Sequence, residues 1–135
     1  MYKNILIPVA FDTEHDVTGP MKLAGLLASP GARITLLHVI EHIPAYAISY
    51  MPVDFVTETR KAIQARLDEL AQQLPNATGE VIEGHSGSSI LDWAEQHSPD
   101  LIVIDSHRPG MQDLLIGSTA TQVVRHAKCA VHVVR

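Results

Sequence analysis

Cysteine is almost missing from this chain. Cys129 is the only one, which excludes an internal disulfide framework and an all-thiolate metal centre and agrees with a reducing compartment. Aromatic residues make up only 4% of the chain, so any core must be built from aliphatic side chains. A strong positive charge is also lacking. The formal net charge of -5 argues against broad attraction to nucleic acid or to anionic lipid, although a local basic pocket remains compatible with it. No apolar run approaches a membrane span, and the opening MYKNILIPVAF has neither the long apolar stretch nor the small-residue cleavage site of an export signal. The setting expected is therefore cytoplasmic and soluble, with no nucleic acid and no membrane as partner.

What is present is aliphatic. Hydrophobic residues form 46% of the 135, mostly Val, Ile, Leu and Ala, a mixture suited to helices laid on a sheet of β-branched strands. The length fits one domain, residues 1–135.

Along the chain, apolar runs alternate with helical spacing. KNILIPVA (3–10), RITLLHVI (33–40), GEVIEG (79–84), LIVIDS (101–106) and CAVHVVR (129–135) read as five strands. A first helix is expected between about Thr13 and Ala28, kinked or starting late because of Gly19 and Pro20, and ended by SPGA at 29–32. Val56, Ile63, Leu67, Leu70 and Leu74 form the apolar stripe of a long helix from Val53 to Leu74. Ser86 or Ser88 caps a helix that carries Ile90, Leu91, Trp93 and Ala94 inward, and Gly117 or Ser118 starts the last one, through about Ala127. Residues 41–52 show no periodicity and read as a loop. Strands alternating with helices predict an α/β fold: an open, twisted, five-stranded parallel sheet with helices on both faces. Ligands of such sheets lie beyond the carboxyl ends of the strands, where the winding direction reverses.

The loops at that edge carry the chemistry. Gly117-Ser118 opens a helix whose amides point outward with the positive end of the dipole behind them, which suits phosphate or carboxylate. Gly117 allows close backbone approach, and the hydroxyls of Ser118 and Thr119 donate. The plainer reading is an ordinary N-cap. Arg108 can fork onto a phosphate or pair with Asp105. His107 can orient ribose or phosphate, or lie exposed. Cys129, within CAVHVV, reads as a small core residue. The eight histidines include no helical i, i+4 pair with a third ligand, and His38 and His132 read as hydrogen-bonded residues of the fold. A serine hydrolase built on Ser106 or Ser118 with His107 lacks a nucleophile elbow.

The stretch DSHRPGMQDLLIGSTATQVVRHAKCAVHVVR resembles the closing signature of the universal stress protein family, a glycine-containing loop after the fourth strand, a Gly-Ser/Thr helix start and a terminal PVLVVR-like strand. Its SHRP, LIGS, VVRHA and final VVR look like the small single-domain bacterial branch with a shortened nucleotide loop. MYKNILIPVAFD, LLHVIE and LDWAEQHSPDLIVI are similar to the family elsewhere, so the resemblance covers nearly the whole chain. It implies an adenine nucleotide alpha hydrolase-like fold with strand order 3-2-1-4-5. It also implies ATP or a related adenine nucleotide as ligand, bound as a sensor in stress response. Carried over by position, Pro8 and Val9 line the adenine side, Val39 offers backbone groups to the base and Ile104 packs beneath the nucleoside. Ser106, His107 and Arg108, with Gly117, Ser118 and Thr119, hold ribose and phosphates.

Three positions depart from the family pattern. Ala10 stands where nucleotide-binding members carry Asp, with Asp12 two residues on as a substitute. Asp105 takes the place of the first loop glycine and Arg108 that of the second, with Gly110 just beyond. Asp12 or Asp105 can serve as a ligand for Mg2+, whereas Asp105 can also cap its loop by accepting backbone hydrogen bonds. A competing reading is a stress protein that binds no nucleotide and acts through its dimer or a protein partner, and a third is slow ATP hydrolysis. The family resemblance implies a homodimer through the terminal strand, 129–134, where an edge without charge before Arg135 needs closing. A dimer of dimers, a tetramer, extends it. YAISYMPVDF (46–55) is too apolar to stay in water. It reads as a lid, an oligomer contact or packing over the long helix.

Overall fold

The computed structural model describes residues 1–11, 17–106 and 117–135. In chain order the elements are β1 (Tyr2–Pro8), α1 (Thr18–Leu27), β2 (Ala28–Glu41), α2 (Ala45–Ile48), α3 (Phe55–Ala71), β3 (Ala77–Gly84), α4 (Ser86–His97), β4 (Leu101–Asp105), α5 (Ser118–His126) and β5 (Ala130–Val134). The strands pair in parallel in the order β3-β2-β1-β4-β5, as expected. No helix among the described residues is long and apolar enough to cross a membrane.

Strand alternation divides the core in two. Ile5, Ile7 and Val9 of the β1 segment join Ile34 and Leu36 of β2 and Val103 of β4 beneath Met21 and Ala24 of α1 and Leu67, Leu70 and Ala71 of α3. Leu6, Leu37, Ile102 and Ile104 point the other way, under Ile90 and Trp93 of α4 and Ala120 and Val123 of α5. Each fully buried aliphatic side chain in these layers stabilises the fold by about 1.5–3 kcal/mol. The winding reverses between β1 and β4. That seam is short, with Ile5 opposite Leu101 and Leu6 opposite Ile102. It is closed below by the Asp100 carboxylate, which accepts the amides of Lys3 (2.9 Å) and Asn4 (3.0 Å), while the Asp100 amide donates to the Asn4 carbonyl at 2.9 Å.

Several boundaries differ from expectation. The first helix starts at Thr18 and puts Pro20 in its first turn, where the missing amide costs nothing; residues 13–16 lie outside the described residues. Ser29-Pro30-Gly31 does end that helix, but the chain passes directly into β2. Ala28 pairs with Tyr2 and Arg33 with Asn4, so the register jumps and Gly31 takes φ 79° to absorb it. β3 begins two residues early because Ile34 and Thr35 recruit Ala77 and Thr78 as partners. Neither Ser86 nor Ser88 caps α4; the N-cap is His85, with no side-chain cap. The expected loop 41–52 contains the single turn α2, formed where the Pro44 carbonyl accepts the amides of Ala47 (2.9 Å) and Ile48 (3.3 Å).

Candidate functional site at the carboxyl edge of the sheet

Pro8 ends β1 opposite Leu37, and the chain stays attached to β2 for one more residue, because the Val9 amide donates to the Leu37 carbonyl at 2.8 Å. Across the reversal, Ile104 pairs with Val133 and Asp105 with Val134 at the end of β4. Ser106 then turns inward, only 3% exposed, and its amide donates to Val134 O at 2.8 Å. The Ser106 carbonyl accepts the amide of Gly117, so the two ends of the long connection are tied together. This bond sets the start of α5 beside the end of β4.

Gly117 is the N-cap of α5, with φ -58° and ψ 158° and no side-chain cap. Its carbonyl accepts Thr121 N-H at 2.9 Å. The first-turn amides of a helix have no partner within it. No acidic residue of the helix lies in that first turn, so none of its own side chains offsets the positive end of the dipole there. Ser118 is exposed and Thr119 half-buried, so the Ser118 side chain stands at the surface of the helix start.

The expected site residues are thus partly assembled. Ser106, Gly117, Ser118 and Thr119 share one corner. Val39 and Ile104 belong to the apolar cluster that contains Ala120 of α5, which gives a floor next to that corner. Val9 belongs to the opposite cluster, under α1 and α3, and approaches the edge from the other face of the sheet. Asp12, His107 and Arg108 lie outside the described residues, as does Gly110. Asp105 is half-buried at the end of β4. Among the described residues no three His, Cys, Asp or Glu side chains gather as a metal site.

Two residues at this edge were not singled out from the sequence. Glu41, the last residue of β2, accepts the Ser86 hydroxyl at 2.7 Å and the Ser86 amide at 3.3 Å, with His85 Nδ1 at 3.6 Å from its other oxygen. The Ser86 hydroxyl, with help from its amide and from His85, holds the Glu41 carboxyl below the usual carboxylate range against the opposing effect of burial. Glu41 therefore satisfies the start of α4 from outside the helix. His38, expected only as a hydrogen-bonded residue of the fold, bonds the Val9 carbonyl through Nδ1 at 2.7 Å. The signal for both is a polar residue inside or closing an otherwise apolar run, LLHVIE.

Comparison with known proteins accords with this geometry. The family model described as "Universal stress protein family" matches residues 1–135. Universal stress protein A homolog 2 of Coxiella burnetii is 35% identical over 99% of this chain and 95% of its own length. The solved universal stress protein UspA from Lactobacillus plantarum is 30% identical, with a TM-score of 0.72 over 99% of this chain and 98% of its own. More distant solved structures share the fold. Among them are an Arabidopsis thaliana family protein with AMP bound (19% identity, TM-score 0.63, 98% and 90% of the two chains) and a universal stress protein in complex with cAMP (14%, 0.71, 99% and 97%). Sheet order, strand ends and whole-length similarity agree: the chain belongs to the universal stress protein family.

Proposed function

We propose that this protein binds an adenine nucleotide at the carboxyl edge between β1 and β4 and acts as a sensor or regulator in stress response, without turning the nucleotide over rapidly. The observation that carries the reading is the bond from Gly117 to Ser106, which fixes a glycine-led helix start at the point where the sheet reverses its winding. Phosphate meets the first-turn amides of α5 with the Ser118 and Thr119 hydroxyls, and the nucleoside rests over Ile104 and Val39. Family members with AMP and cAMP bound support adenine as the base. ATP with Mg2+ held by Asp12 or Asp105 is the extended form of the same reading. The test is to denature freshly purified protein, identify released nucleotide by mass spectrometry, and titrate stripped protein with AMP, cAMP and ATP, with and without Mg2+, by calorimetry. Gly117→Val has a backbone that valine adopts freely and is expected to weaken binding at least tenfold by blocking the approach of phosphate, about 1.4 kcal/mol or more. Unchanged binding in that variant places the ligand elsewhere.

A second reading concerns assembly. Among the described residues β5 has a strand partner on one edge only, and Ala130 to Val134 include no Asp, Glu, Lys or Arg. A bare apolar edge of this kind is stable when paired with a copy of itself across a two-fold axis. A homodimer through residues 129–134 follows, and the exposed Tyr46, Tyr50 and Val53 offer a further surface for a tetramer, a protein partner or a lid over bound nucleotide.

A further inference from the structure

The row of β2 side chains that faces α1 and α3 runs Ile34, Leu36, His38, Ile40. Its first two members are fully buried aliphatics, so a histidine in third place interrupts an apolar row. It does so beside the point where β1 leaves the sheet. Pro8 has no amide to continue the ladder; beyond it the Val9 amide donates to Leu37 O at 2.8 Å and the Val9 carbonyl bonds His38 Nδ1 at 2.7 Å. A carbonyl only accepts, so Nδ1 carries the hydrogen and donates it. The same imidazole packs against the Phe11 ring, centroids 5.2 Å apart and planes tilted by 39°, an arrangement that aromatic pairs favour. Ala10, exposed to solvent, sits between the two grips.

We propose that His38 is a positioning residue of the nucleotide site: it clamps the backbone before Ala10 and the ring after it, and so fixes the wall that the β1 segment presents to the ligand. This role rests on the nucleotide reading above. The imidazole touches no ligand in this scheme. It acts through Val9 and Phe11, holding them in the bound arrangement before the nucleotide arrives, so that binding does not have to order them.

Two variants separate the grips. The side-chain amide nitrogen of asparagine lies where Nδ1 lies, so His38→Asn keeps the bond to Val9 and loses the ring contact. His38→Phe keeps a ring beside Phe11 and leaves the Val9 carbonyl without its donor. AMP affinity by calorimetry is expected within about threefold of the parent for H38N and about tenfold weaker for H38F, the range one hydrogen bond supplies. Hydrogen exchange measured without nucleotide is expected to speed up at the amide of Ala10, next to the Val9 carbonyl, in H38F and not in H38N. The clamp is overturned if H38F binds AMP no more weakly than H38N, or if both lose affinity in step with their melting temperatures. The parent protein's own titration tests the nucleotide reading separately: no AMP uptake removes that reading, and with it the role of His38 in binding, while the exchange data alone decide whether the clamp exists.

Discussion

Glu41 shows how much a single side chain can do at the edge of a sheet. Its carboxyl is held below its ordinary value of 4.5, chiefly by the Ser86 hydroxyl. An acid with a lowered folded pKa contributes stability that is fully present above the unfolded value and disappears as pH falls through the folded one. Glu41→Gln is therefore expected to be less stable than the parent at pH 7, by less than about 1 kcal/mol because the carboxyl is largely exposed. The gap between the two proteins should narrow as the pH is lowered to 3. Urea midpoints at the two pH values check this, and a difference that persisted undiminished in acid would contradict it. Cys129 behaves in the opposite sense. Burial, reinforced by the charge of Asp100, pushes its thiol up from 9.0, and only the thiolate reacts readily. Alkylation at pH 8 should be several-fold slower in native protein than in urea, and equal rates would mean that the thiol is not shielded. The reading of Cys129 from its apolar neighbours as an unreactive residue was available in the sequence. The bond between His38 and Val9 was not, because it joins residues 29 apart and depends on how two strands are set side by side.

At the level of the element, the contact between α3 and β3 leaves the least room. A methyl group placed on Gly79 would lie 2.6 Å from Leu67 Cβ and 3.2 Å from the Leu67 backbone carbonyl carbon, and Leu67 is fully buried. Neither atom is the free end of a flexible side chain, so helix and strand must separate. Gly79→Ala is expected to cost about 1–3 kcal/mol, the usual range for overpacking, and denaturant midpoints read it directly. An unchanged midpoint would show that α3 can shift freely on the sheet. The helix itself was legible: the stripe of Ile63, Leu67 and Leu70 predicts Val53 to Leu74, against Phe55–Ala71 observed. The start of β2 was hidden, since Ser29-Pro30-Gly31 reads as a stop and only pairing with Tyr2 makes that stretch a strand. The capping of α4 was hidden for a related reason. Local sequence offers Ser86 as its own cap, whereas the acceptor comes from Glu41 at the end of another element.

For the whole molecule, the parallel sheet and its two-layer core follow from apolar runs that alternate with helical stripes, and the resemblance supplied the strand order 3-2-1-4-5. The candidate site was proposed from the sequence as a set of loops at one edge, and the structure unites Ser106 with Gly117 while dividing Val9 from Val39 and Ile104 between two faces. On the proposed assembly, Ala130→Lys places a charge on an exposed position of β5 and is expected to shift the protein from dimer to monomer in light scattering. A dimer that survived would move the interface to another face. The seam between β1 and β4 has one more consequence, for how the chain is made. β1, β2 and β3 are complete once Gly84 has been synthesised, yet the second neighbour of β1 ends only at Asp105. At about 5–20 residues per second, roughly 1–4 s of synthesis separate them, during which the central strand of the finished fold is an open edge. The Asp100 carboxylate, which takes the Lys3 and Asn4 amides in the finished fold, is made just before β4 and so can engage the end of β1 only as that interval closes.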